Sequence, residues 1–148
     1  MDSTFGPMRL SRAFATLLMC AASALGCRSS TEPRIYDVDY AHGLWLANRV
    51  ASYSFDVRVA AFMPSRGSIH VIVKDGAVLS ATDSSRKELQ GYSFTIDALW
   101  VQILNYRSRG ELNGAAFDWR GVPVESDMGP WAVDGGVHYS IRNFQPGT

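Results

Sequence analysis

The run SIHVIVKDGAVLSATD, residues 68–83, alternates apolar and polar side chains on both sides of an Asp-Gly pair. Alternation of period two sends successive side chains to opposite faces of a strand. Asp75-Gly76 suits the two-residue primed turn, whose central residues need positive φ. The run therefore predicts an antiparallel hairpin with one buried and one solvated face. YSFDVRV, residues 53–59, obeys the same rule, with Tyr53, Phe55, Val57 and Val59 on one side and Ser54, Asp56 and Arg58 on the other. Toward the C-terminus, AAFDWRGVPVES reads as two short strands about a turn at Gly121, with Pro123 at an edge or at the very start of its strand. In GGVHYSIRNF, Val137, Tyr139 and Ile141 face opposite to His138, Ser140 and Arg142.

Two segments break this period. From Thr95 it lengthens to about 3.6: Thr95 suits an N-cap, Asp97 favours the positive end of the helix dipole, and Ile96, Leu99, Trp100, Ile103 and Leu104 form one apolar stripe ending before Gly110. DVDYAHGLWLANRVAS, residues 37–52, gives a shorter helix capped by Asp37 or Asp39, with Tyr40, Leu44, Ala47 and Val50 as its stripe and Gly43 as its weak point. Trp45, Trp100, Phe117 and Trp119 are expected in the core. The order is helix, three strands, helix, three strands, which suggests two copies of one unit. The fold class that accommodates it is α+β: two layers, an antiparallel sheet of about six strands with two helices on one face and the other face open. A closed barrel would leave the helical stripes without a surface.

The N-terminus reads differently. Between Arg12 and Arg28 the chain is uncharged for about 15 residues, short of the roughly 20 needed to cross a bilayer as a helix. Arg9 and Arg12 before it, and Ala24 and Gly26 at its end, match a secretory signal. SALGC resembles a lipobox, with Ala24 where leucine is commonest. The resemblance implies cleavage before Cys27 and diacylglycerol on its thiol. Cys20 would leave with the leader, so Cys27 would stand alone in the mature chain, and attachment to lipid removes an unpaired thiol from an oxidising compartment. Ordinary signal-peptidase cleavage near Ala24, with Cys27 free, is the alternative. The expected organisation is a lipoprotein signal peptide at 1–26, lipidated Cys27 with a short tether at 27–36, and one α+β domain at 37–148. Arg28 after the Cys, by resemblance to enterobacterial sorting, favours the outer membrane, facing the periplasm.

The chain carries 14 basic and 14 acidic residues; loss of Arg9, Arg12 and Asp2 with the leader leaves 12 against 13. That balance, without a basic stripe, gives no case for nucleic acid. With 47% apolar residues the remaining domain of about 120 residues can bury a core without staples.

Trp45 eight residues before Tyr53, the strand YSFDV, the hairpin IVKDGAVLSA, the helix opening TIDALW, then FDWRGVPVESD and the terminal GGVHYSIRNFQP together resemble the bacterial family grouped as domain of unknown function 6174, over almost all of the mature chain. The resemblance implies an exported protein, in that family often a lipoprotein, in keeping with Cys27. Members frequently carry cysteines just after the first strand, where this chain has VAAFMPSR. The resemblance implies no activity, substrate or catalytic residue.

Few residues suggest chemistry. GYSFT around Ser93 has the outline of a nucleophile elbow but lacks its second glycine and an entering strand. His42, His70 and His138 have no metal-ligand spacing, although His70 and His138 share the polar phase and could meet across the sheet. Asp127 and Asp134 in SDMGPWAVDGG lack the alternating acidic positions of a calcium loop. No catalytic residue, metal or cofactor is expected. The candidate ligand or partner face is the polar strand phase, Asp56, Arg58, His70, Lys74, His138 and Arg142, with Trp131 after Gly129-Pro130 as a possible exposed anchor, although folding back over the core is the plainer reading of that indole. A lipid-tethered envelope module binding another protein or a small ligand is the leading reading. An inhibitor of an exported hydrolase, or an exported enzyme with an unrecognised site, are the others.

Overall fold

The structure is a computed structural model that describes residues 34–61, 67–130 and 135–147. The elements follow the expected order: helix α1 (Val38–Asn48), strands β1 (Tyr53–Ala61), β2 (Ser68–Lys74) and β3 (Ala77–Asp83), helix α2 (Ile96–Ser108), then β4 (Leu112–Phe117), β5 (Pro123–Met128) and β6 (Val137–Pro146). The six strands form one antiparallel sheet in the order β3-β2-β1-β6-β5-β4. Each helix is thus followed by a three-stranded meander running the same way across the sheet, and β1 pairs with β6 where the two units join.

Both helices are capped as the sequence implies. Asp37 Oδ1 accepts the Tyr40 N–H at 2.9 Å, and Thr95 Oγ1 accepts the Ala98 N–H at 3.1 Å, meeting donors the first helical turn leaves unpaired. Asp39, the other candidate cap, instead pairs with Arg107 of α2, and that guanidinium holds its carboxyl below the ordinary range. The hairpin turn is also as expected: Asp75 and Gly76 have φ of 52° and 80°. Pro123 opens β5, where its missing N–H costs no ladder bond inside the strand.

The apolar phases of the strands form the sheet's inner face. Tyr53, Phe55, Val57, Val71, Val73 and Ile141 are buried there beneath Ile96, Leu99, Trp100 and Ile103 of α2. The helices also grip each other: Trp45 Nε1–H donates to Asp97 Oδ1 at 3.0 Å, and Arg49 reaches Asp97 Oδ2 at 3.1 Å.

Two expectations about the core need correction. Helix α1 buries Ala41 and Trp45, whereas Tyr40 is 61% exposed and Ala47 is exposed; its contact stripe lies one position beyond the expected one. The cause is Gly121, whose turn seats directly on the α1 backbone at Ala41 and Trp45, so the face carrying the small Ala41 must point inward. Trp119 is 56% exposed rather than core. Strand β4 stops at Phe117, and Asp118 accepts the N–H groups of Arg120 and Val122 at 2.9 Å each. Trp119 therefore occupies the outer corner of a turn, out of the strand's alternation.

Tyr53 is fully buried and its hydroxyl accepts the Ile96 N–H at 3.1 Å, satisfying the first residue of α2. Burial pushes the phenols of Tyr53 and Tyr92 up to about 12 from 10.0. A group whose pKa is raised by folding stabilises the fold below its unfolded pKa and loses that contribution as pH rises through the folded value. Stability measured by urea melts should accordingly be undiminished up to about pH 10 by these two groups and should fall from there toward about pH 12. A flat profile across that window would contradict the burial of both phenols.

Candidate functional site

Among the described residues no helix covers the outer face of the sheet, and the strand pairing places the polar phase in rows. Ser68 of β2, Arg58 of β1, Ser140 of β6 and Glu125 of β5 form one row; His70, Asp56 and Arg142 form the next; Ala60, His138 and Asp127 form a third. Asp56, Arg58, His138 and Arg142, with Ser68, Glu125, Ser140 and Asn143, line a partly open concavity of about 630 Å³. Four of the six strand residues singled out from the sequence thus share one depression, and His70 touches its wall through Asp56. Lys74 is exposed but lies at the hairpin end of β2, four residues from His70 and so roughly 13 Å along the strand. It does not join the site.

The charges within the depression are unevenly satisfied. Asp56 Oδ1 is hydrogen-bonded to His70 Nδ1 at 2.7 Å, and its Oδ2 accepts from Asn143 Nδ2 at 2.6 Å. Glu125 is held by Arg34 at 2.8 Å, and Asp127 by His138 Nδ1 at 2.8 Å. Arg58 and Arg142 are exposed, and among the described residues neither has a carboxylate within ion-pair distance. Arg142 stands directly opposite Asp56 in the ladder, yet both oxygens of that carboxylate are already taken.

Ser68, Glu125, Ser140 and Asn143 line the depression without having been candidates, and Asn143 is the one held there by a departure from strand regularity. Its φ of 52° marks a bulge: β1 advances two residues from Ser54 to Asp56 while β6 advances three from Arg142 to Gln145. The extra residue turns the Asn143 amide onto Asp56. A signal existed, because the apolar set of β6 steps by two from Val137 through Tyr139 to Ile141 and then by three to Phe144, which packs on Trp45 and Tyr53. Asn is also among the few residues that tolerate positive φ.

Other candidates separate. His70 and His138 do not meet: each binds its own carboxylate, and β1 lies between their strands. Asp127 is a strand residue paired to His138, and Asp134 lies outside the described residues. Ser93 is exposed in the loop before α2. Among the described residues no cluster of three metal-ligating side chains occurs, and no helix is long and apolar enough to cross a membrane. Cys27 and Trp131 both lie outside the described residues.

A two-layer α+β domain with an unroofed, polar sheet face is the class these observations define. The model of the family of unknown function DUF6174 matches residues 37–146, and the chain belongs to that family. No curated protein and no solved structure matches it.

Proposed function

We propose that this chain is a lipid-anchored protein of the bacterial cell envelope, held at the outer membrane through Cys27 and facing the periplasm, and that its domain is a small binding module working through the outer face of its sheet. The observation that supports the binding surface is the concavity around Arg58 and Arg142: among the described residues, two cations with no carboxylate in ion-pair range where every neighbouring carboxylate has a partner. Unlike the helix-bearing face, this face presents exposed polar side chains at Arg58, His70, Asp127 and Arg142. The support for the anchor is the uncharged run closing on SALGC and the single cysteine the mature chain would retain. Two or three acyl chains on Cys27 would hold the domain stably to a membrane where one would not.

The binding surface is tested by using the mature protein as bait in detergent-solubilised envelope. Arg58→Ala with Arg142→Ala should melt like the wild type, because exposed charges contribute little to folding, and should lose the proteins the wild type retains. Undiminished retention would place the binding surface elsewhere, with Trp131 the next residue to replace. The anchor is tested separately. A radiolabelled fatty acid should mark the wild-type chain in cells and leave Cys27→Ser unmarked; label on both forms, or on neither, would end the lipoprotein reading.

A further inference from the structure

We propose that the sheet face takes an acidic, extended segment of another protein, whose Asp or Glu side chains at positions i and i+2 engage Arg142 and Arg58. The proposal rests on the reading of this face as the binding surface and adds the chemistry of its occupant.

The open donors of the two guanidinium groups carry it. Within the concavity, Asp56, Glu125 and nearby Asp127 each already accept from a neighbour, whereas among the described residues Arg58 and Arg142 have no carboxylate within ion-pair distance, so the unmet pairing capacity of the face lies in two forks that match carboxylates. Arginine presents a planar fork that takes a carboxylate through two parallel hydrogen bonds. Ser68 and Ser140 flank Arg58 in its own row and supply further hydroxyl donors.

Spacing selects the segment. Arg58 pairs with Ser140 and Asp56 with Arg142, so the two arginines are diagonal neighbours on adjacent antiparallel strands, roughly 7–8 Å apart and somewhat closer at their Cβ atoms. Alternate residues of an extended chain point the same way and are about 7 Å apart. Adjacent residues point to opposite faces and cannot both reach. The depression is lined by polar side chains, without the apolar walls that enclose a small organic ligand. Addition of a strand to the sheet edge is disfavoured here, because Ile35 bonds both backbone groups of Phe117 on β4 and Leu89 donates to Ala81 on β3. Recognition therefore runs through side chains on the face.

The test uses the full mature protein in detergent and a dye-labelled (Ser-Glu)3 peptide, followed by fluorescence anisotropy at fixed ionic strength. Wild type should bind it, Arg58→Ala with Arg142→Ala should weaken binding by about tenfold or more, and Arg86→Ala with Lys87→Ala, exposed cations on the loop after β3, should bind like wild type. The (Ser-Gln)3 peptide should not bind. Equal binding by the Arg58/Arg142 variant, or loss in the Arg86/Lys87 variant, would overturn the proposal, as would equal affinity for a peptide whose glutamates occur only as a single adjacent pair. Full displacement by inorganic phosphate at matched charge would replace the acidic segment with a free-anion site and overturn it too. A protein that is retained from envelope by wild type, lost from the arginine variant and unmoved by (Ser-Glu)3 would remove the acidic occupant while leaving the binding face in place.

Discussion

Trp100→Ala is expected to destabilise the domain by about 3–5 kcal/mol, the range found when a large buried aromatic side chain is truncated. Trp100 is 2% exposed and lies flat on Phe117, with ring centroids 4.8 Å apart and planes 5° from parallel. His42 of α1 packs on it at 4.8 Å. Its Nε1–H donates to the Gly121 carbonyl at 3.1 Å, so one side chain links α2, α1, β4 and the β4–β5 turn. Alanine would leave a cavity among three elements and a buried carbonyl without this donor, and the two losses act in the same direction. Urea melts decide it: a change under about 1 kcal/mol would mean that the site collapses around the smaller residue, at odds with the low end of that range.

Gly121→Ala should cost at least as much, on the order of 3–5 kcal/mol, for a different reason. Gly121 has φ of +81°, and a Cβ there would fall 2.1 Å from the Ala41 carbonyl oxygen and 2.5 Å from the Trp45 nitrogen. Both obstacles are α1 backbone, which no rotamer change can clear. The helix would have to lift from the turn, exposing Trp45 and loosening the Trp100 hydrogen bond. Gly110→Ala provides the contrast. Gly110 has φ of +72° with nothing within 4 Å of the added atom, so only the backbone strain applies, roughly 1–2 kcal/mol. Equal melts for the two variants would show that the close approach to α1 is absent in solution.

The strands, the capped α2 and the Asp75-Gly76 hairpin were legible because each depends on local periodicity or turn chemistry, and one apolar stripe dominates each element. Helix α1 and its Asp37 cap were legible too, but its inward face was not, since Tyr40, Ala41, Leu44, Trp45, Leu46 and Ala47 place apolar side chains around much of its circumference. What picks the inward face is a distant turn: Gly121 needs a small residue beneath it and finds Ala41. Trp119 misled for a related reason. Its phase matches Phe117, but Asp118 at the first and Gly121 at the fourth position of a turn end the strand between them, Gly121 N–H donating to the Asp118 carbonyl at 2.9 Å. For the candidate site, alternation identified which residues share the open face. Which of them converge depends on strand order and register, and these bring Glu125 and Ser68 in while leaving Lys74 out. The bulge at Asn143 lies between the two levels: visible as a skipped step in the apolar pattern of β6, but meaningful only once β1 is known to be its partner.

The binding role of the outer face is tested most directly in cells, by placing a photoactivatable benzophenone side chain at Ser68, on the wall of the concavity, or at Val101, which is 59% exposed on α2. Irradiation should give discrete higher-mass adducts from Ser68, reduced when Arg58 and Arg142 are both alanine, and none from Val101. Adducts from Val101 with none from Ser68 would show that the protein meets its partner through the helical layer, and would contradict a binding role for the open sheet face.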